Sequence, residues 1–187
     1  KPGRTESKMK TVLDFYSIIN NASIFNKDKQ LASGAQTTLG GGNCFFNALY
    51  GNPGLSGRFY DQGAVDRRKA FVANIKQVEN FFNNLNKYKL EEGELGDLII
   101  KNISDRIAKV KANDPSANRD KKALQPLIDL LNFYERTGEK DILKLLKKSY
   151  LFDKYLDCLA RNDYYLSIYE VQLFAILNKI EFDLKIF

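Results

Sequence analysis

Leu39-Gly40-Gly41-Gly42-Asn43-Cys44-Phe45-Phe46-Asn47-Ala48-Leu49 is the stretch on which the reading of this chain turns. Three glycines feed a cysteine that opens an apolar run. Glycine lets a backbone approach a substrate closely and turn its N–H groups inward. A cysteine at the first turn of a helix faces unpaired N–H groups and the positive end of the helix dipole, which favour a thiolate. Two backbone donors beside it can hold the oxyanion of a tetrahedral acyl intermediate. A second reading fits the same residues: a glycine-rich turn before a core helix, with Cys44 as a small buried hydrophobe.

Moving outward, residues 30–57 carry no charge and hold seven of the twelve glycines, in a chain that is 28% charged. Such a segment is too glycine-rich for a membrane helix and reads as a loop, a helix start and a second loop in a protected place. Upstream, Val12, Phe15, Ile18 and Ile19 have helical spacing. Downstream, Val65, Arg68, Phe71, Val72, Ile75, Val78, Phe81, Phe82 and Leu85 step by three and four, which predicts one long amphipathic helix. Leu95 to Val110 predicts a second. Asn113-Asp114-Pro115-Ser116 is a loop, and Leu124 to Tyr134 a third helix closed by Thr137-Gly138. Ile142 to Leu159 supplies one or two more. After Arg161-Asn162-Asp163, Ser167 caps a helix from Ile168 to Asn178, with Ser167-x-x-Glu170 as a capping box.

The last eight residues change period. Ile180, Phe182, Leu184 and Ile186 alternate with Glu181, Asp183 and Lys185, as in a half-buried strand. It pairs either with an earlier strand or with strands beyond Phe187, and the second is the expectation here. The chain starts at Lys1, so any upstream signal is out of view.

Composition narrows the chemistry. With 187 residues, 44% hydrophobic and 12% aromatic, the chain can bury a core. Histidine is absent, which removes imidazole bases, His-ligated metals and complete Ser–His or Cys–His machinery within these residues. Two cysteines, Cys44 and Cys158, form no CxxC and make neither a structural zinc site nor a disulfide scaffold; no metal or cofactor is implied. The net charge of +6 comes from lysines interleaved with acids, a solvated surface rather than a nucleic-acid footprint. No apolar run is long enough to span a membrane. Cys158, between Leu156 and Leu159, reads as core, as does Phe81-Phe82; Tyr164-Tyr165 either rims a channel or covers core.

Gly42 to Leu49 resembles the signature of the ovarian tumour (OTU) family of cysteine proteases, where Asp-Gly-Asn-Cys enters an apolar helix. Two further segments agree in order. Val65 to Phe82, with Arg67-Arg68 and Phe81, is similar to the long helix after the cysteine helix. Tyr155-Leu156 to Ile186, with Tyr164-Tyr165, Glu170, Leu173, Ala175 and Ile180, is similar to the later tyrosine–leucine, aromatic turn, helix and strand. Together they cover about half the chain. Gly41 stands where the family has aspartate, and Asn47 where it has arginine. The aspartate shapes the oxyanion loop, so Gly41 must do so by backbone freedom. Residues 87–150 match no part of the family pattern.

The resemblance implies an α+β class: a papain-like OTU fold with helices flanking a small central sheet, residues 1–187 forming a single, C-terminally incomplete catalytic domain with a helical insertion at 87–150. It implies a deubiquitinase in which Cys44 is the nucleophile and the backbone N–H groups of Cys44 and of Gly41 or Gly42 form the oxyanion hole. The family's catalytic histidine follows the strand matched by Ile180–Phe187, so it is expected beyond Phe187, and this chain alone is expected to be inactive. The partner implied is ubiquitin or polyubiquitin. Two other readings are a catalytically dead OTU-like module that binds ubiquitin, and a helical interaction domain. Reducing conditions fit the cysteine usage and imply a cytoplasmic location; the Lys-, Asn- and Ile-rich composition with an OTU-like domain suggests a bacterial effector in host cytosol.

Overall fold

The computed structural model describes residues 40–54, 57–138 and 141–180. The expected helix around residues 12–19 and residues 181–187 of the expected strand lie outside them. The chain divides into two compact units, residues 1–68 with 166–187, and residues 69–165. The region expected as an insertion, 87–150, falls inside the second.

In the first unit the described elements are few. Helix α1 (Cys44–Tyr50) leads into an antiparallel hairpin of β1 (Asn52–Pro53) and β2 (Phe59–Tyr60), paired Asn52 with Tyr60 and Pro53 with Phe59. Gly51 makes the join possible: a Cβ there would collide with the Asn47 carbonyl and the Tyr60 backbone. Helix α2 (Ala64–Lys76) begins in this unit. The unit closes with α9 (Ile168–Leu177), whose start is fixed by the foreseen capping box: Ser167 Oγ accepts from Glu170 N–H and Glu170 Oε1 from Ser167 N–H. Positions 170–175 of α9 are buried consecutively, as a core helix requires. Its Phe174 meets Phe45 and Phe46 edge-on at 5.2 and 5.6 Å, forming the aromatic core behind α1.

The second unit is helical: the remainder of α2, then α3 (Phe81–Leu85), α4 (Leu95–Lys111), a 3-10 turn (Pro115–Ala117), α5 (Asn118–Ala123), α6 (Gln125–Arg136), α7 (Ile142–Lys147) and α8 (Ser149–Leu159). Its core is the apolar stripe of α4 (Leu95, Ile99, Ile100, Ile103, Ile107) with Leu127 and Leu131 of α6 and Leu151, Tyr155, Leu156 and Leu159 of α8. Gly96 lets α4 rest on the Phe82 carbonyl, where a Cβ would collide. Beside it Asn86 accepts from Asp97 N–H and donates to the Asp97 carboxylate, at 3.0 and 3.1 Å. Phe81 and Phe82 are buried in an aromatic cluster with Phe152 and Tyr155, as core residues.

Arg106 ties this unit together. It takes both Asp120 oxygens at 3.2 and 2.8 Å, and donates to Tyr164 Oη and the Tyr165 carbonyl, each at 2.9 Å. Tyr164 is thereby core, and Tyr165 carries the Arg119 guanidinium over its ring.

One expectation needs correction. The helix expected from Val65 to Leu85 is broken: α2 stops at Lys76, and Asn80 stands in the left-handed region at φ 48° before α3 begins. Asparagine tolerates that region better than most residues, and the Asn84 side chain satisfies the Glu79 carbonyl freed by the break. The sheet expected at the centre is, among the described residues, a hairpin of two-residue strands with Tyr60 47% exposed. The described chain is thus mostly helical with a small sheet, an α+β composition.

Candidate functional site

The site is built on a four-residue turn. Gly41 sits at φ 102°, and a Cβ added there would meet nothing within 4 Å. Glycine is therefore required by backbone conformation, not by crowding. The Gly41 carbonyl accepts from Cys44 N–H at 3.1 Å, closing the turn. Helix α1 then starts at Cys44, its first bond running from Asn47 N–H to the Asn43 carbonyl at 3.0 Å. Asn43 occupies the N-cap position but makes no side-chain cap.

Its side chain is held elsewhere. Asn43 Oδ1 accepts from Arg68 Nε at 3.0 Å, and Arg68 Nη2 donates to the Gly42 carbonyl at 2.6 Å. Arg68 is fully buried, with its guanidinium 5.4 Å from the centre of the Phe46 ring. A buried cation is costly unless hydrogen-bonded, and the glycine turn supplies acceptors. Cys44 itself is 8% exposed.

One turn along, Asn47 has a structural role. It is buried, and its Oδ1 accepts from Asp61 N–H at 3.0 Å. Asp61 in turn accepts from Gly63 N–H at 2.9 Å and from Arg67 Nε at 2.8 Å. The Arg67 guanidinium lies 3.8 Å over the Tyr50 ring, and burial pushes the Tyr50 phenol up despite that cation. This chain of contacts fixes the far end of α1 against the start of α2.

Of the residues singled out in the sequence, Gly41, Gly42 and Cys44 share one turn. The Cys44 N–H expected to face an oxyanion closes that turn on Gly41 in this conformation. No histidine exists in the chain to complete a catalytic pair. Cys158 is fully buried, and burial pushes its thiol up to about 11; a thiol so protonated is a poor nucleophile. Glu170 is occupied as the capping-box acid.

Sequence reasoning missed the part played by Arg68, although the signal was present. Arg68 keeps step with Phe71, Val72 and Ile75, so a cation stands on the apolar stripe of α2 and must find partners inside. Asp61 left no comparable mark. Compared with known proteins, the chain matches no family model, no curated protein and no solved structure.

Proposed function

We propose that these residues belong to an OTU-type thiol hydrolase of papain-like fold that cleaves isopeptide bonds at the C-terminus of ubiquitin. The observation that carries the reading is Cys44 as first residue of α1, directly after a turn with left-handed Gly41. In the proposed reaction the Cys44 thiolate attacks the carbonyl carbon of the Gly–Lys isopeptide bond. The oxyanion receives hydrogen bonds from Cys44 N–H, turned from the Gly41 carbonyl, and from Gly41 or Gly42 N–H. A histidine takes the thiol proton and passes it to the departing lysine amine; water then hydrolyses the thioester. These residues hold no histidine, so the reading requires one from outside them and predicts no turnover by them alone.

The helices of residues 87–150 are the proposed docking surface for ubiquitin. They carry exposed aromatic area at Phe133, 58% exposed, beside the stacked Tyr134 and Tyr150 rings. The proposed setting is host cytosol, with the protein delivered there as a bacterial effector.

A second reading, a dead OTU-like module that only holds ubiquitin, draws on the absence of histidine. One experiment separates the two. A ubiquitin probe with an electrophilic C-terminus is added to the full-length gene product and its Cys44→Ala variant. Labelling of Cys44 that the variant abolishes supports the enzyme. Binding without labelling supports the module, and labelling of Cys158 refutes the assignment of the nucleophile.

A further inference from the structure

A run of three glycines has more backbone freedom to lose than any other tripeptide, and no side chains with which to hold itself in place. Yet the turn from Gly41 to Cys44 has to present one thiol in one orientation. What holds it comes from α2. Arg68 grips the Gly42 carbonyl at 2.6 Å and Asn43 Oδ1 at 3.0 Å. The two donors, Nε and Nη2, lie on one edge of a rigid planar group, so both acceptors are fixed relative to each other. These acceptors belong to the two residues that immediately precede Cys44. The grip also places a cation against a carbonyl two residues before the thiol, offsetting a negative dipole that would oppose a thiolate nearby.

We infer that Arg68 is a positioning residue for Cys44: by clamping Gly42 and Asn43 it sets the turn that presents the nucleophile. The inference rests on the reading of Cys44 as nucleophile. It assigns to Arg68 no contact with substrate.

The second cysteine makes a clean test possible. Cys158 is fully buried in the other unit, so it reports loss of fold there, whereas Cys44 reports the turn. Native protein is treated with iodoacetamide across a range of pH, and alkylation of each cysteine is followed by mass spectrometry in wild type, Arg68→Met, Arg68→Lys and Asn43→Ala. In wild type Cys44 is expected to react faster at pH 7 than glutathione. In Arg68→Met it is expected to slow about tenfold at pH 7, with its pH–rate profile moved to higher pH and Cys158 still protected. Arg68→Lys should stay nearer to Met than to Arg, because a single ammonium lacks the two-pronged edge. Asn43→Ala, which leaves the arginine and its bond to Gly42 in place, should slow Cys44 about threefold through loss of one charge-assisted hydrogen bond.

An unchanged Cys44 profile in Arg68→Met overturns the inference, and full recovery in Arg68→Lys overturns it by showing that charge alone suffices. Should Arg68→Met open both cysteines by unfolding, Asn43→Ala decides: a slowed Cys44 with protected Cys158 supports the inference, and an unchanged Cys44 overturns it. A wild-type Cys44 no faster than glutathione defeats the nucleophile reading and the inference with it. A fast wild-type Cys44 indifferent to Arg68 defeats the inference alone.

Discussion

Cys44 and Cys158 are both buried, yet their surroundings differ in kind. Cys158 lies in the last turn of α8, fully enclosed, and its thiol is pushed up to about 11 by loss of water. Cys44 lies at a helix start, on a turn of glycines, with backbone N–H and carbonyl groups and a buried guanidinium around the two residues before it. The first environment stabilises only a neutral thiol; the second is made of dipoles and a cation. Burial alone therefore says little about a cysteine, and the polar groups buried with it say more.

The two environments belong to different units, and that separation can be broken experimentally. The largest effect is expected from Phe174→Ala. It removes the ring that both Phe45 and Phe46 meet edge-on, at a cost of about 3–5 kcal/mol. Cys44 should then lose its rate advantage and be alkylated like an unstructured thiol, while Cys158 stays protected if the units open separately. Parallel exposure of both thiols would show that the chain unfolds as one body.

Gly96→Ala is the mirror experiment. The added methyl would meet backbone, the Phe82 carbonyl, which cannot rotate aside, so a loss of about 3 kcal/mol is expected. Here Cys158 should be the thiol that opens, as read by alkylation under native conditions and by a lowered denaturation midpoint. A fully tolerated Gly96→Ala would contradict the close approach of α4 to Phe82.

A smaller effect is expected from pH. The Cys158 thiol has an ordinary value of 9.0 and about 11 in the fold. An unfolded chain loses this proton first, so the folded state loses stability as pH climbs from about 9 to about 11, by about 2 kcal/mol. Below pH 9 both states keep the proton and the effect vanishes. Denaturant titrations at pH 8 and pH 10.5 should show a steeper loss in wild type than in Cys158→Ala. Equal slopes would mean that Cys158 is not held protonated.

The parts of this architecture that could be read from the sequence are those whose cause is local. The Ser167–Glu170 box lies within one helical turn, and the stripe of α4 repeats along a helix of 17 residues, so both are plain in the residues. The break between α2 and α3 is not, because Val78, Phe81 and Phe82 keep the helical period across it and only Asn80 changes hand. Helix α5 escaped notice because Arg119, Asp120, Lys121 and Lys122 offer no apolar spacing; it is anchored by Asp120 on Arg106. The β1–β2 hairpin is too short to leave an alternation. At the candidate site the proposed nucleophile is legible in Gly41-Gly42-Asn43-Cys44, but the arginine bonded to Asn43 is 25 residues further along the chain. What Arg68 touches is a property of packing, which no local pattern records.

The contact of Phe174 with Phe45 and Phe46 also dictates an order of events during synthesis. The second unit, residues 69–165, is complete in the growing chain before any residue of α9 exists. Domains tend to fold as units as they emerge, so the helical unit can settle while Cys44, Phe45 and Phe46 still wait for a ring 128 positions downstream of Phe46. The stretch around the thiol is therefore made before the helical unit and enclosed after that unit is complete. Through that interval an apolar run and a cysteine are open to solvent, to oxidants and to neighbouring nascent chains.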